Sequence, residues 1–114
     1  MISIQKVFHF EAAHHLPKVE EGHPCKRIHG HSYRLEITLA GSIDPQKGWF
    51  MDFREVKKIV TPWVKQLDHQ LLNEIEGLEN PTAENIVMWF KSKLAGPLAG
   101  LKQIRLDETP TSSC

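Results

Sequence analysis

"HGHSYRLEITLAG", residues 29–41, alternates from end to end. In an extended chain His29, His31, Tyr33, Leu35, Ile37 and Leu39 share one face, while Ser32, Arg34, Glu36 and Thr38 share the other. This is the pattern of a half-buried strand. Two histidines lie in line with its apolar side chains, at the end where the strand begins.

Residues 1–14 alternate in the same way, with Phe8, Phe10, Ala12 and His14 on one face. Residues 16–28 between the two strands carry Pro17, Gly22 and Pro24 among charges, which predicts a loop. A hairpin closed by that loop brings His14 beside His29 and His31. Three imidazoles around one point, with a further position left open, describe a catalytic zinc site. Iron, copper and nickel also accept imidazole. His9 and His15 point away from that face, and His23 lies in the loop. All three are read as surface residues, or at most as support for the cluster.

Towards the C-terminus, "DPQKG" at 44–48 predicts a turn, and "WFMDF" at 49–53 a short strand with Asp52 placed to start a helix. Phe53, Val56, Ile59, Val60, Trp63, Val64 and Leu67 recur at helical spacing. Pro62 falls within that run and is expected to kink or divide the helix. Residues 70–81 are a connection, and Thr82 is placed to cap a second helix with Ala83, Ile86, Val87, Phe90 and Leu94 as its apolar stripe. "AGPLAG" ends it, and "LKQIRLDET" reads as the last strand. Two consecutive helices against an antiparallel sheet make an α+β domain spanning 1–114. The unpaired edges of such a sheet favour association through strands.

Fourteen Lys and Arg balance fourteen Asp and Glu, so bulk charge selects neither nucleic acid nor a membrane surface. No stretch is long and apolar enough to span a bilayer, and "MISIQKVFHFEAAHHL" has no uninterrupted apolar run of the secretory kind. With only Cys25 and Cys114, the expectation is a reduced, cytoplasmic setting, which argues against a Cys25–Cys114 disulfide.

Three further features carry chemistry. Cys25 lies four residues before His29 with Lys26 and Arg27 beside it, a setting that favours the thiolate. It is placed either as a fourth ligand, closing the site, or as a base facing an open position; the residues leave both readings standing. Asp68 and His69 fit a carboxylate–imidazole relay, and equally a polar helix end. Glu108 can accept two parallel hydrogen bonds from an amidine-like N–H pair, though alone it reads as a solvated charge.

"FEAAHHLP", "GHPCKRIHGHSY", "GWFMDF", "LDHQLLN", "ENPTAEN" and "ETPTS" follow one another in that order. Together they resemble the 6-pyruvoyltetrahydropterin synthase family, and within it the bacterial 6-carboxy-5,6,7,8-tetrahydropterin synthase branch. The resemblance runs from Phe10 to Ser112. It implies a tunnelling fold (T-fold), in which sheets of several subunits join in a barrel, usually a homohexamer built as a dimer of trimers. It implies His14, His29 and His31 as Zn2+ ligands and Cys25 as the catalytic thiolate. Asp68 and His69 match the proton-relay pair, reaching a site shared between subunits. Glu108 matches the pterin anchor, and Thr82 and Glu84 a second pterin-contacting stretch. The implied substrate is 7,8-dihydroneopterin triphosphate, converted to 6-carboxytetrahydropterin, acetaldehyde and triphosphate in queuosine biosynthesis. The pyruvoyl-forming branch shares these residues. From the residues alone, a zinc hydrolase or a non-catalytic zinc-stabilised pterin-binding module would use the same cluster. Family members commonly run a few residues beyond "ETPTSSC", and Cys114 matches no family role; it reads as incidental.

Overall fold

In the computed structural model, which describes residues 1–114, the two alternating stretches form β1 (Ile2–His14) and β2 (His29–Gly41). They pair antiparallel without a break from Ile2↔Gly41 to His14↔His29. β2 gains its other neighbour only after both helices. The helices come first: α1 (Phe53–Leu67), then α2 (Ala83–Leu94), with β3 (Gln70–Leu71) between them. β4 (Leu101–Thr109) then pairs antiparallel with the free side of β2, and β5 (Ser112–Ser113) folds back on β4. The sheet order is β3-β1-β2-β4-β5.

Both helices start on side-chain caps. The Asp52 carboxylate accepts the Arg54 N–H (2.8 Å), and the Thr82 hydroxyl accepts the Asn85 N–H (3.1 Å). α1 buries Val56, Val60, Val64 and Leu67; α2 buries Ile86, Trp89, Phe90 and Leu94. These meet Phe10, Tyr33, Leu35, Ile37, Leu39 and Leu106 from one face of the sheet. Phe10 stacks on Tyr33 with ring centroids 4.8 Å apart, and the Phe90 ring lies 6.0 Å from Phe10. The layer beneath the histidines is therefore aromatic and closed to water.

Four features differ from expectation. The sheet is mixed, because β3 runs parallel to β1 at Ala12–Ala13. "WFMDF" forms no strand. Phe50 instead lies over Gly41, in the space a Cβ there would need. Pro62 does not divide α1. It is exposed, so water can satisfy the Lys58 carbonyl that its missing N–H would have served. Finally, the C-terminal residues form β5, adding a hairpin to the sheet. Gly100, at φ +79°, makes the tight entry into β4 against the Ala40 carbonyl. No helix is long and apolar enough to cross a membrane.

Candidate metal centre and active site

The β1–β2 register sets His14 directly opposite His29, with His31 opposite Ala12. The three rings stand edge to face, their centroids 4.6–5.1 Å apart. The Nδ1 of His14 lies 2.9 Å from the Pro81 carbonyl oxygen, and the Nδ1 of His29 lies 2.7 Å from that of Arg27. A carbonyl only accepts, so each Nδ1 carries the proton and each Nε2 presents a lone pair. Those two Nε2 atoms are 3.0 Å apart. The Nε2 of His31 is buried without a hydrogen-bond partner. One nitrogen from each ring falls within 4.8 Å of the others.

Facing lone pairs repel one another, and a buried orphan acceptor is costly. A cation among the three nitrogens removes both penalties. Burial holds the pKa of His14 and of His31 below the ordinary imidazole value. For His14 the Pro81 carbonyl opposes that shift, and for His31 the Glu108 carboxylate does. Neutral rings are what metal coordination requires. The donor set therefore fits a metal ion held by His14, His29 and His31.

Cys25 lies in a single 3-10 turn, Pro24–Lys26, and is partly buried with a free thiol. Its sulfur does not belong to the convergent set, so no closed site of three histidines and one cysteine forms. Lys26, one of its two positive neighbours, is paired with Glu21.

Glu108 from β4, with Thr82 and Glu84 from the start of α2, lines one cavity of about 440 Å³. The "ENPT" segment explains how. Pro81 holds His14 through its carbonyl, Thr82 caps α2, and Glu84 lies in that helix's first turn. Glu108 Oε1 is 3.6 Å from the Nε2 of His31, so the cavity adjoins the metal centre. Leu16, Ser112, Ser113 and Cys114 complete its wall. Cys114, which matches no family role, is one of these wall residues. It is held there by paired backbone hydrogen bonds with Leu106, both 2.8 Å.

Asp68 and His69 dock on the edge of β1. Asp68 Oδ1 accepts the Glu11 N–H (2.9 Å) and the Nδ1–H of His69 (3.0 Å). His69 adopts φ 60°, the left-handed region, and donates its N–H to the Glu11 carbonyl. The Glu11 N–H, followed by the His69 ring, holds the Asp68 carboxyl below its usual range. His69 is exposed and lines a second depression, about 470 Å³, with Glu11, His31, Ser32 and Gln70. That depression shares no lining residue with the Glu108 cavity. The two adjoin through His31, which lines the depression and has its Nε2 3.6 Å from Glu108.

Residues 3–114 match the family model described as 6-pyruvoyl tetrahydropterin synthase. The chain belongs to this family. A solved structure of Caenorhabditis elegans 6-pyruvoyl tetrahydropterin synthase superposes with a TM-score of 0.87 at 26% identity, covering 99% of this chain and 92% of that one. Among curated relatives, a Synechocystis protein named 6-carboxy-5,6,7,8-tetrahydropterin synthase is 44% identical over 117 residues, 96% of this chain and 88% of its own. A Pyrococcus furiosus protein named dihydroneopterin monophosphate aldolase is 42% identical over 102 residues, 87% of this chain and 82% of its own. The chain shares the fold of that solved structure, and its three-histidine centre sits where β1 ends and β2 begins.

Proposed function

We propose that this chain is a zinc-dependent lyase that converts 7,8-dihydroneopterin triphosphate to 6-carboxy-5,6,7,8-tetrahydropterin, acetaldehyde and triphosphate. The observation that carries the reading is the junction of two features. Three imidazoles converge on one point, and one of them, His31, has its Nε2 3.6 Å from the carboxylate of Glu108, which lines a cavity. The name and 44% identity of the Synechocystis relative support the same reaction.

In this reading His14, His29 and His31 hold zinc, which when bound supplies Lewis-acid polarisation of the substrate's side-chain oxygens. Glu108 accepts two N–H bonds from the pterin ring, with Thr82 and Glu84 lining the same cavity. Cys25, as thiolate, removes a carbon-bound proton from the side chain. Asp68 keeps the His69 imidazole oriented and stabilises its protonated form while His69 moves protons to and from oxygen. We place that exposed pair at a site shared with a neighbouring subunit. β1 has an outer edge paired only at Ala12–Ala13, a natural seam for a homohexamer made of two trimers. The setting we propose is cytoplasmic queuosine biosynthesis.

A second reading is supported by the Pyrococcus relative: aldol cleavage of dihydroneopterin monophosphate. The test is to mix zinc-loaded protein with 7,8-dihydroneopterin triphosphate and measure acetaldehyde against substrate consumed. Equal amounts support the proposal. Turnover without acetaldehyde points to pyruvoyl formation. Inertness to the triphosphate with release of a phosphorylated two-carbon aldehyde from the monophosphate selects the aldolase.

A further inference from the structure

We infer that His23 is a positioning residue for Cys25, a role that rests on the function proposed above for Cys25. The turn that carries this cysteine is a single 3-10 turn, too short to be stable by itself. Pro24, its first residue, has no N–H, so the first amide needing a partner is that of Cys25. The Nδ1 of His23 accepts it at 3.0 Å. His23 is thus the turn's N-cap, with the extended backbone (φ −69°, ψ 133°) that a cap adopts.

The rest of the turn is built on the same residue. The His23 carbonyl accepts the Lys26 N–H (3.1 Å), and the His23 N–H reaches the Glu20 carbonyl (3.1 Å). On its other side the Cys25 carbonyl accepts the Leu16 N–H at 2.7 Å, two residues beyond the metal-centre residue His14. Both backbone groups of Cys25 are therefore fixed. One is held by the end of β1 and the other by the His23 ring alone. Without the ring, the Cys25 N–H loses its partner, and the turn is left to its backbone bonds alone.

An acceptor at Nδ1 places the ring proton on Nε2. What the cap needs is a lone pair at the δ position, not a proton carrier. Asparagine supplies such an acceptor and is a preferred cap residue; alanine does not. His23 also lines none of the Glu108 cavity, so its loss should act on turnover rather than on substrate binding.

The experiment compares wild type, His23→Ala and His23→Asn with zinc in excess. Two readouts are used: steady-state turnover of 7,8-dihydroneopterin triphosphate, and peptide-resolved alkylation of Cys25 by iodoacetamide. Exposed Cys114 in the same chain is the internal reference. His23→Ala should lower kcat by about 5- to 30-fold, the effect of losing a cap of ordinary strength, with KM changed less than about twofold. The same variant should raise the Cys25-to-Cys114 alkylation ratio by about fivefold as the partly buried thiol is released. His23→Asn should return both readouts towards wild type. An unchanged alkylation ratio in His23→Ala overturns the inference, as does His23→Asn behaving like His23→Ala. If the wild type does not turn over the triphosphate, the proposed function fails, and the alkylation ratio still decides whether His23 holds Cys25.

Discussion

His14 and His29 face each other through Nε2 atoms 3.0 Å apart, with both Nδ1 protons committed to backbone carbonyls. Neither ring can turn its proton inward without giving up a 2.7–2.9 Å hydrogen bond. The pair is therefore built around a positive charge that neither ring supplies. His29 is the better residue to remove, because His14 is buried in the core and its loss would also leave a cavity. His29→Ala should weaken metal binding by more than the roughly 10- to 100-fold typical of losing a supporting residue. Metal content after gel filtration checks this. A chelator should lower the melting temperature of the wild type and leave that of His29→Ala where it was.

The pH dependence follows from burial. Folding lowers the pKa of His14 and His31, so below the ordinary imidazole value the unfolded chain binds more protons than the folded one. The contribution to stability is complete above about pH 6.5, and it is lost as pH falls from there through the folded values. Metal-free protein should accordingly melt at progressively lower temperature as pH drops below about 6.5. Bound metal competes with the same protons. Because the folded rings resist protonation, the metal should persist somewhat below that pH before it is released. Melting curves with and without chelator across this range measure both effects. A metal-free melting temperature that does not fall below pH 6.5 would contradict the assignment.

Asp68→Asn separates geometry from charge in the acid–base pair. The amide oxygen of asparagine can still accept the Glu11 N–H, so the docking on β1 survives. Removed is the negative charge that favours a protonated His69. The side chain is substantially exposed, and stability should change little. Turnover should fall by about 10²- to 10⁴-fold, the range for loss of positioned acid–base catalysis. Near-normal turnover would return Asp68 and His69 to the status of a polar helix end.

How much of this was legible in the sequence depends on how local each feature is. The alternation of residues 29–41 and 1–14 fixed two strands and the face on which His14, His29 and His31 would meet. The hairpin register follows because a one-residue slip would turn Phe10, Tyr33 and Leu35 out of the core. The placement of β3 is different in kind. It depends on His69 adopting a left-handed backbone and docking on Glu11, and two residues carry no periodicity. Burial of Trp89 beside Phe90 was missed because the stripe Ala83, Ile86, Val87, Phe90 and Leu94 already satisfied the helical pattern. "WFMDF" looks like a strand by composition, but Phe50 packs over Gly41 instead. The wall formed by Ser112, Ser113 and Cys114 exists only once β5 has folded back on β4. The cap that His23 makes on Cys25 was likewise hidden, because histidine is not among the usual cap residues.

Glu108 provides the sharpest division between metal and substrate. Its carboxylate is 3.6 Å from His31 Nε2, which is too long for a hydrogen bond, and it lies outside the converging nitrogens. It also lines the cavity with Thr82 and Glu84. If it anchors the pterin, it does so by accepting two N–H bonds at once. Glu108→Gln keeps one acceptor and turns an NH2 donor towards the second N–H. One bond is lost, and two donors then face each other in a confined space. Hydrogen bonds to a charged group contribute about 1.5–3 kcal/mol. Substrate affinity in Glu108→Gln should therefore fall by about 10- to 100-fold, with metal content and melting temperature close to wild type. Equilibrium binding of a non-reactive pterin to the metal-loaded variant measures this without relying on turnover. Loss of metal with pterin affinity unchanged would instead make Glu108 a partner of the metal centre and leave the pterin ring to be held elsewhere in the cavity.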